Sequence, residues 1–146
     1  MIIQIIGAFF ATFFFSIMFN VNRSELIICG IVGAGGWTLY LFSQEYKASV
    51  ILSSFLAALL VSILSQILAI YRKNPVTTYQ IAGIIPLVPG AGMYQSLYYL
   101  IEEKEETAFH YLLQTIEIAG SIAVAMLLVT SITTFVIRLK KANIDP

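Results

Sequence analysis

The sequence predicts an all-α integral membrane protein of about five transmembrane helices, the fourth broken at a Pro-x-x-Pro-Gly segment. Three observations carry this reading. Of the 146 residues, 59% are hydrophobic and 11% charged, a balance no ordinary soluble domain has. The apolar residues run on for about 20 positions at a time, enough to cross a bilayer core, and do not alternate with period two as barrel strands do. Finally, Ile81 to Tyr94 reads IAGIIPLVPGAGMY, with Pro86 and Pro89 followed at once by Gly90 and Gly92. Each proline lacks an N–H and crowds the carbonyl one turn back, so no continuous helix is expected there.

Composition also excludes functions. Lys plus Arg and Asp plus Glu balance at 8 each, so no bulk field attracts nucleic acid. A single cysteine, Cys29, rules out an internal disulfide and any cysteine-based zinc site, and the one histidine, His110, argues against a metal centre. Neither a cofactor nor a catalytic set of side chains is indicated, and the glycines of the second apolar stretch lack the lysine of a nucleotide loop. The chain is not expected to be an enzyme.

A single transmembrane domain is expected over 1–146, with spans at approximately 2–19, 26–42, 48–71, 80–101 and 107–137. The first, Ile2 to Phe19, is rich in phenylalanine and suits a lipid-facing place. Lys and Arg are missing ahead of it and no cleavage pattern follows, so it reads as a retained span and not a signal peptide. The second, Leu26 to Phe42, contains Gly30, Gly33, Gly35 and Gly36. Gly30, Gly33 and Gly36 are expected to pack helices, with Gly30, Ala34 and Thr38 forming a small-residue stripe; lining of a substrate path is the alternative. The third, Ala48 to Tyr71, has Ser54, Ala58, Ser62 and Gln66 on one face, where serines are expected to bond back to their own backbone. Glu102 to Glu106 forms an acidic cluster expected as a solvated loop. The fifth, Thr107 to Ile137, exceeds the length one crossing needs.

Orientation follows from the basic residues. One side receives Arg23, Arg72, Lys73, Arg138, Lys140 and Lys141 and the other only Lys47 and Lys104; the richer side is expected to be cytoplasmic. The protein would then sit in the cell inner (plasma) membrane, N-terminus outside and C-terminus in the cytoplasm. Trp37, Tyr40, Tyr46, Tyr71, Tyr79, Tyr98, Tyr99 and Tyr111 are read as interfacial aromatics.

Two places are able to carry chemistry. At the break, half-helices leave backbone groups uncapped near mid-membrane, where helix N-termini attract anions. Substrate binding is therefore expected at Pro86, Pro89, Gly90, Gly92 and Tyr94, the glycines admitting a ligand to the backbone and Tyr94 offering a hydroxyl; the alternative is a packing kink. On the fifth span, His110, Gln114, Glu117 and Ser121 share a helical face. Glu117, with Gln114, is a proton-coupling candidate, because an acid in an apolar segment is costly unless paired or wetted; the alternative is an interfacial residue reaching outer water. His110 is read as surface.

The segment Ile84-Ile85-Pro86-Leu87-Val88-Pro89-Gly90-Ala91-Gly92-Met93-Tyr94 resembles the threonine/serine exporter (ThrE) family, and within it the YjjB-like small subunit that corresponds to the C-terminal half of the fused exporter. Pro86, Pro89, Gly90 and Tyr94 are the motif positions; Glu117 matches none. The resemblance implies a secondary exporter for threonine or serine, or for dicarboxylates such as succinate, working in the lipid bilayer with a larger YjjP-like exporter subunit. It implies a small-molecule substrate, and a homo-oligomer is compatible with it. A non-transporting assembly or scaffold subunit is the reading from another class.

Overall fold

The computed structural model describes residues 1–142, without the side chains of Arg138, Lys140, Lys141 and Ala142. The basic residues expected in the tail from Arg138 onward thus lie outside the described side chains, and 143–146 lie outside the described residues altogether. Among the described residues the fold is all helical: α1 (Ile2–Met18), α2 (Leu26–Glu45), α3 (Val50–Arg72), α4 (Val76–Ile84), a 3-10 turn (Ile85–Leu87), α5 (Gly90–Ile101) and α6 (Glu105–Ala142).

Three of these helices are long and apolar enough to cross a membrane: Leu26–Glu45, Val50–Arg72 and Glu105–Ile137 of α6. α1 is apolar but has 17 residues, and Val76–Leu87 is shorter still. α3 is the hub, packed on α2, α4 and α6, while α5 packs on α6 alone among the described residues. The main core joins Val32 of α2, Ala57, Ala58 and Val61 of α3, Ile84 and Leu87 beside the turn, and Ile122 and Ala125 of α6. Its alanines let helix axes approach closely, as bilayer packing favours.

Glycines set the other approaches. A methyl group at Gly30 would lie 2.7 Å from a Phe9 ring carbon, at Gly33 it would strike Thr12, at Gly36 Val61, and at Gly83 it would lie 2.8 Å from Val32 and 2.9 Å from Val61. α2 is thus gripped by α1 at Gly30 and Gly33 and by α3 at Gly36. The stripe expected through Ala34 and Thr38 is not the one used, and Thr38 is exposed. α1 is not purely lipid-facing either. Its phenylalanines Phe10 and Phe14 point outward, but Ala8, Thr12 and Ser16 are buried against α2. Thr12 and Ser16 are tolerated there because their hydroxyls donate to Ala8 O at 2.9 Å and Thr12 O at 2.7 Å.

The serine face of α3 behaves likewise. Ser54 and Ser65 donate to Val50 O and Val61 O, and Ser62 instead accepts from the Gln80 side chain at 3.2 Å, tying α4 to α3. The α3 start is capped by Ser49, whose hydroxyl accepts from Leu52 N at 3.2 Å.

One device ends four helices. Asn20, Lys47, Lys73 and Glu103 have φ of 60°, 58°, 55° and 58°. After each, an amide reaches back five residues: Val21 to Ser16, Ala48 to Ser43, Asn74 to Ala69 and Lys104 to Tyr99. These are Schellman-type ends made without glycine. The acidic cluster is not wholly loop: Glu105 and Glu106 open α6 and complement its positive end, leaving a short turn between α5 and α6.

Three of the aromatics read as interfacial turn inward: Tyr79 is fully buried, and Trp37 and Tyr40 are half-buried against the main core. Each is held inward by neighbouring helices that meet at its position.

Candidate functional site

The segment between α4 and α5 is built by its prolines. Pro86 occupies the 3-10 turn, where its missing N–H costs nothing as an α-helical donor. Val88 is extended, with φ −62° and ψ 127°, as residues before proline prefer. Pro89, at φ −77° and ψ 54°, is the centre of an inverse γ-turn closed by Gly90 N donating to Val88 O at 2.8 Å. The first helical bond of α5 is Met93 N to Pro89 O at 3.2 Å. No side chain caps this helix, and the amides of Ala91 and Gly92 have no acceptor among the described residues. Such an end carries partial positive charge and free donors.

A cavity of about 230 Å³ lies against this end. Pro86, Pro89, Gly90 and Gly92 border it, together with Trp37 and Tyr40 of α2, Ser54 of α3 and Ile118 of α6. It falls just below the range of about 300–1,000 Å³ that takes drug-sized ligands, so its scale is that of a small metabolite. A second cavity, of about 270 Å³, lies towards α1 beside Gln4, Gly7, Ala8 and Ala11. Trp37 and Pro86 border both cavities and so stand between them.

The sequence-predicted residues separate in space. Pro86, Pro89, Gly90 and Gly92 meet around the first cavity; Tyr94 does not border it, is 68% exposed and stacks on Tyr98 at 6.1 Å. The two glycines also differ. A methyl group at Gly90 would meet nothing within 4 Å, whereas at Gly92 it would strike the Thr115 hydroxyl of α6. Gly92 therefore serves the α5–α6 contact, and Gly90 is the open position. Glu117 is exposed and outside the cavity, to which its neighbour Ile118 contributes. Gln114 is half-buried, and His110 is exposed, edge-on to Tyr111.

Sequence reasoning missed two groups. Trp37 and Tyr40 stack at 4.9 Å on the cavity wall. The Trp37 indole nitrogen is buried yet has no hydrogen-bond partner, an arrangement that costs about 1–3 kcal/mol and is rare in native folds. Its depth inside a glycine-rich span was the available signal, since a belt tryptophan stands nearer an end. The second group is Glu25, read only as linker. Its carboxylate accepts from Tyr79 Oη at 2.7 Å, Arg72 Nε at 3.1 Å and Ser24 Oγ at 3.1 Å, and Asn74 Nδ2 donates to Tyr79 Oη at 3.1 Å. Burial pushes the Glu25 carboxyl up, but the hydrogen bonds from Tyr79, Arg72 and Ser24 and the Arg72 charge outweigh it, and the group stays below its ordinary range. The signal was an acid at the start of one apolar helix and an arginine at the end of the next, ends that must meet in an antiparallel pair.

Comparison with curated proteins and with solved structures found no match. The family model described as "Threonine/Serine exporter, ThrE" matches residues 4–132, which takes in α2 to α5 whole and most of α1 and α6. With its apolar helices and its Pro86–Gly92 segment, the chain belongs to this family of membrane transporters, the threonine/serine exporters.

Proposed function

We propose that the chain is the small membrane subunit of a secondary exporter of small carboxylate metabolites, threonine or serine first among them. It would act by alternating access around Pro86–Gly92 with a larger YjjP-like partner subunit. In this reading α1, α2, α3, the α4–α5 pair and α6 make five crossings of the inner (plasma) membrane, N-terminus outside and C-terminus cytoplasmic.

The observation that carries the reading is the uncapped start of α5 beside a metabolite-sized cavity. Free amides and the helix dipole favour a carboxylate, and irregular backbone at membrane depth is tolerated where it borders such a space. Gly90, with room around it, lets the ligand reach the backbone. Tyr94 enters the path from a face that only a partner would cover. Glu117, exposed on α6, is the group proposed to carry a proton.

The test is export of labelled L-threonine from cells of the native host. Pro89→Ala or Gly90→Leu is expected to abolish export while the variant chain still reaches the membrane at normal levels; unchanged export overturns the reading. Competition by L-serine against succinate separates amino-acid from dicarboxylate transport. An assembly or scaffold subunit would leave residual export when this gene alone is deleted.

A further inference from the structure

We propose that the pocket between the end of α1 and the start of α4 binds the headgroup of an anionic phospholipid, with Arg23 and Lys73 holding its phosphate. The inference goes beyond the reading above and does not rest on it.

The first ground is the pocket, a space of about 400 Å³, within the range of about 300–1,000 Å³ usual for ligand sites. Asn20, Asn22, Asn74, Thr77 and Thr78 supply its polar wall, from the α1–α2 and α3–α4 turns and the first turn of α4. Asn74 donates to Tyr79 Oη. The side chains of the other four make no hydrogen bond within the protein among the described residues, so their donors are open to a ligand. The second ground is charge. Arg72 is taken up by Glu25, whereas Arg23 and Lys73 are exposed and in no ion pair among the described residues. Arg23 follows Asn22 and Lys73 precedes Asn74, so both cations are rooted one residue from the wall, and no described acid lines the pocket. Charge-assisted bonds from such donors favour a phosphate. The third ground is the neighbouring surface. Phe19 and Ile81 border the pocket and are each 48% exposed. With the exposed Ile17 and Met18 they give acyl chains an apolar track along α1 and α4. A free phosphate ion would leave that track unused, which is why the occupant is a lipid. In the orientation proposed above, this end meets the cytoplasmic leaflet, whose anionic lipids attract such cations.

The test is native mass spectrometry of the protein purified in detergent from its native host, with any subunit that accompanies it. It is titrated with dioleoylphosphatidylglycerol or with the zwitterionic dioleoylphosphatidylcholine. One phosphatidylglycerol is expected to bind well ahead of phosphatidylcholine; equal retention of the two overturns the proposal. Arg23→Gln with Lys73→Gln is expected to weaken that binding about thirtyfold, at about fivefold per cation. Lys47→Gln with Lys104→Gln makes the same charge change at the other end of the bundle and is expected to leave binding unaltered. An equal loss in both pairs would show charge acting without the pocket and would overturn the assignment. Thr77→Trp fills the pocket from an exposed helix position. It is expected to weaken phosphatidylglycerol binding while the melting temperature in lipid-free detergent stays the same; unaltered binding overturns the pocket as the site. Displacement of the lipid by an equal concentration of glycerol 3-phosphate would mark a site for a soluble anion and overturn the lipid as occupant.

Discussion

Tyr79 and Glu25, 54 positions apart in the chain, are joined by a 2.7 Å hydrogen bond that ties the start of α2 to α4. Arg72, the last residue of α3, closes the same carboxylate from the other side. Three helices are therefore fastened at one end of the bundle. Tyr79→Phe leaves a buried carboxylate short of a donor and is expected to destabilise the fold by about 1–3 kcal/mol, read as a lower melting temperature in detergent. Glu25→Ala should cost at least as much. The double variant should cost less than the sum of the two, because the pair shares one interaction.

The same carboxylate gives a pH dependence with a definite sign. Its folded pKa is lowered from the ordinary 4.5, so folding holds it in the charged form. The stability it contributes is fully present above about 4.5 and is lost as pH falls through the lower folded value. Glu25→Gln should flatten the fall in melting temperature below pH 4.5, and a fall as steep as the wild type's would overturn this assignment.

Gly90 and Gly92 should separate function from packing. Gly92→Ala forces a methyl group onto Thr115, which is held by its bond to Tyr111 O at 2.7 Å. A loss of about 1–3 kcal/mol is expected, recovered in part by adding Thr115→Ala. Gly90→Ala meets open space and should move stability by no more than about 0.5 kcal/mol. Thermal unfolding of the three variants checks this order.

Lys47 sits in the left-handed region at φ 58°, which a side chain tolerates and glycine prefers. Lys47→Gly is expected to be neutral to stabilising by up to about 1 kcal/mol, part of the gain being offset by the freer unfolded chain. Lys47→Val, β-branched, should destabilise measurably in the same assay.

Glu117 is tested by function. In the proton-coupled reading, Glu117→Gln flattens the pH dependence of threonine export; an exposed acid with no such role would leave the profile as it is.

The sequence made the helices legible because apolar length and proline positions are local signals. The bounds of α2 and α3 fall within three residues of those expected at every end, while α6 starts two residues early, because acids at a helix start resemble a loop, and runs five residues further into the basic stretch, where charge ends an apolar span but not a helix. Partnerships were harder to read. Thr12 faces Gly33, and Glu25 meets Tyr79, only because the helices associate in one particular way, and no spacing within a segment encodes that. Trp37 shows the limit from another direction: the belt rule for aromatics is statistical, and the close approach at Gly33 and Gly36 draws this residue inward.

Trp37 is the chain's only tryptophan, and it stands as the partition between two hollows. Its ultraviolet emission is accordingly a one-site optical signal that needs no label. Water entering either hollow would shift that emission to the red, and water leaving would shift it to the blue. In the proposed reading, where substrate passes beside Pro86–Gly92, a change in the hydration of that path would be followed in real time from the light of this one residue.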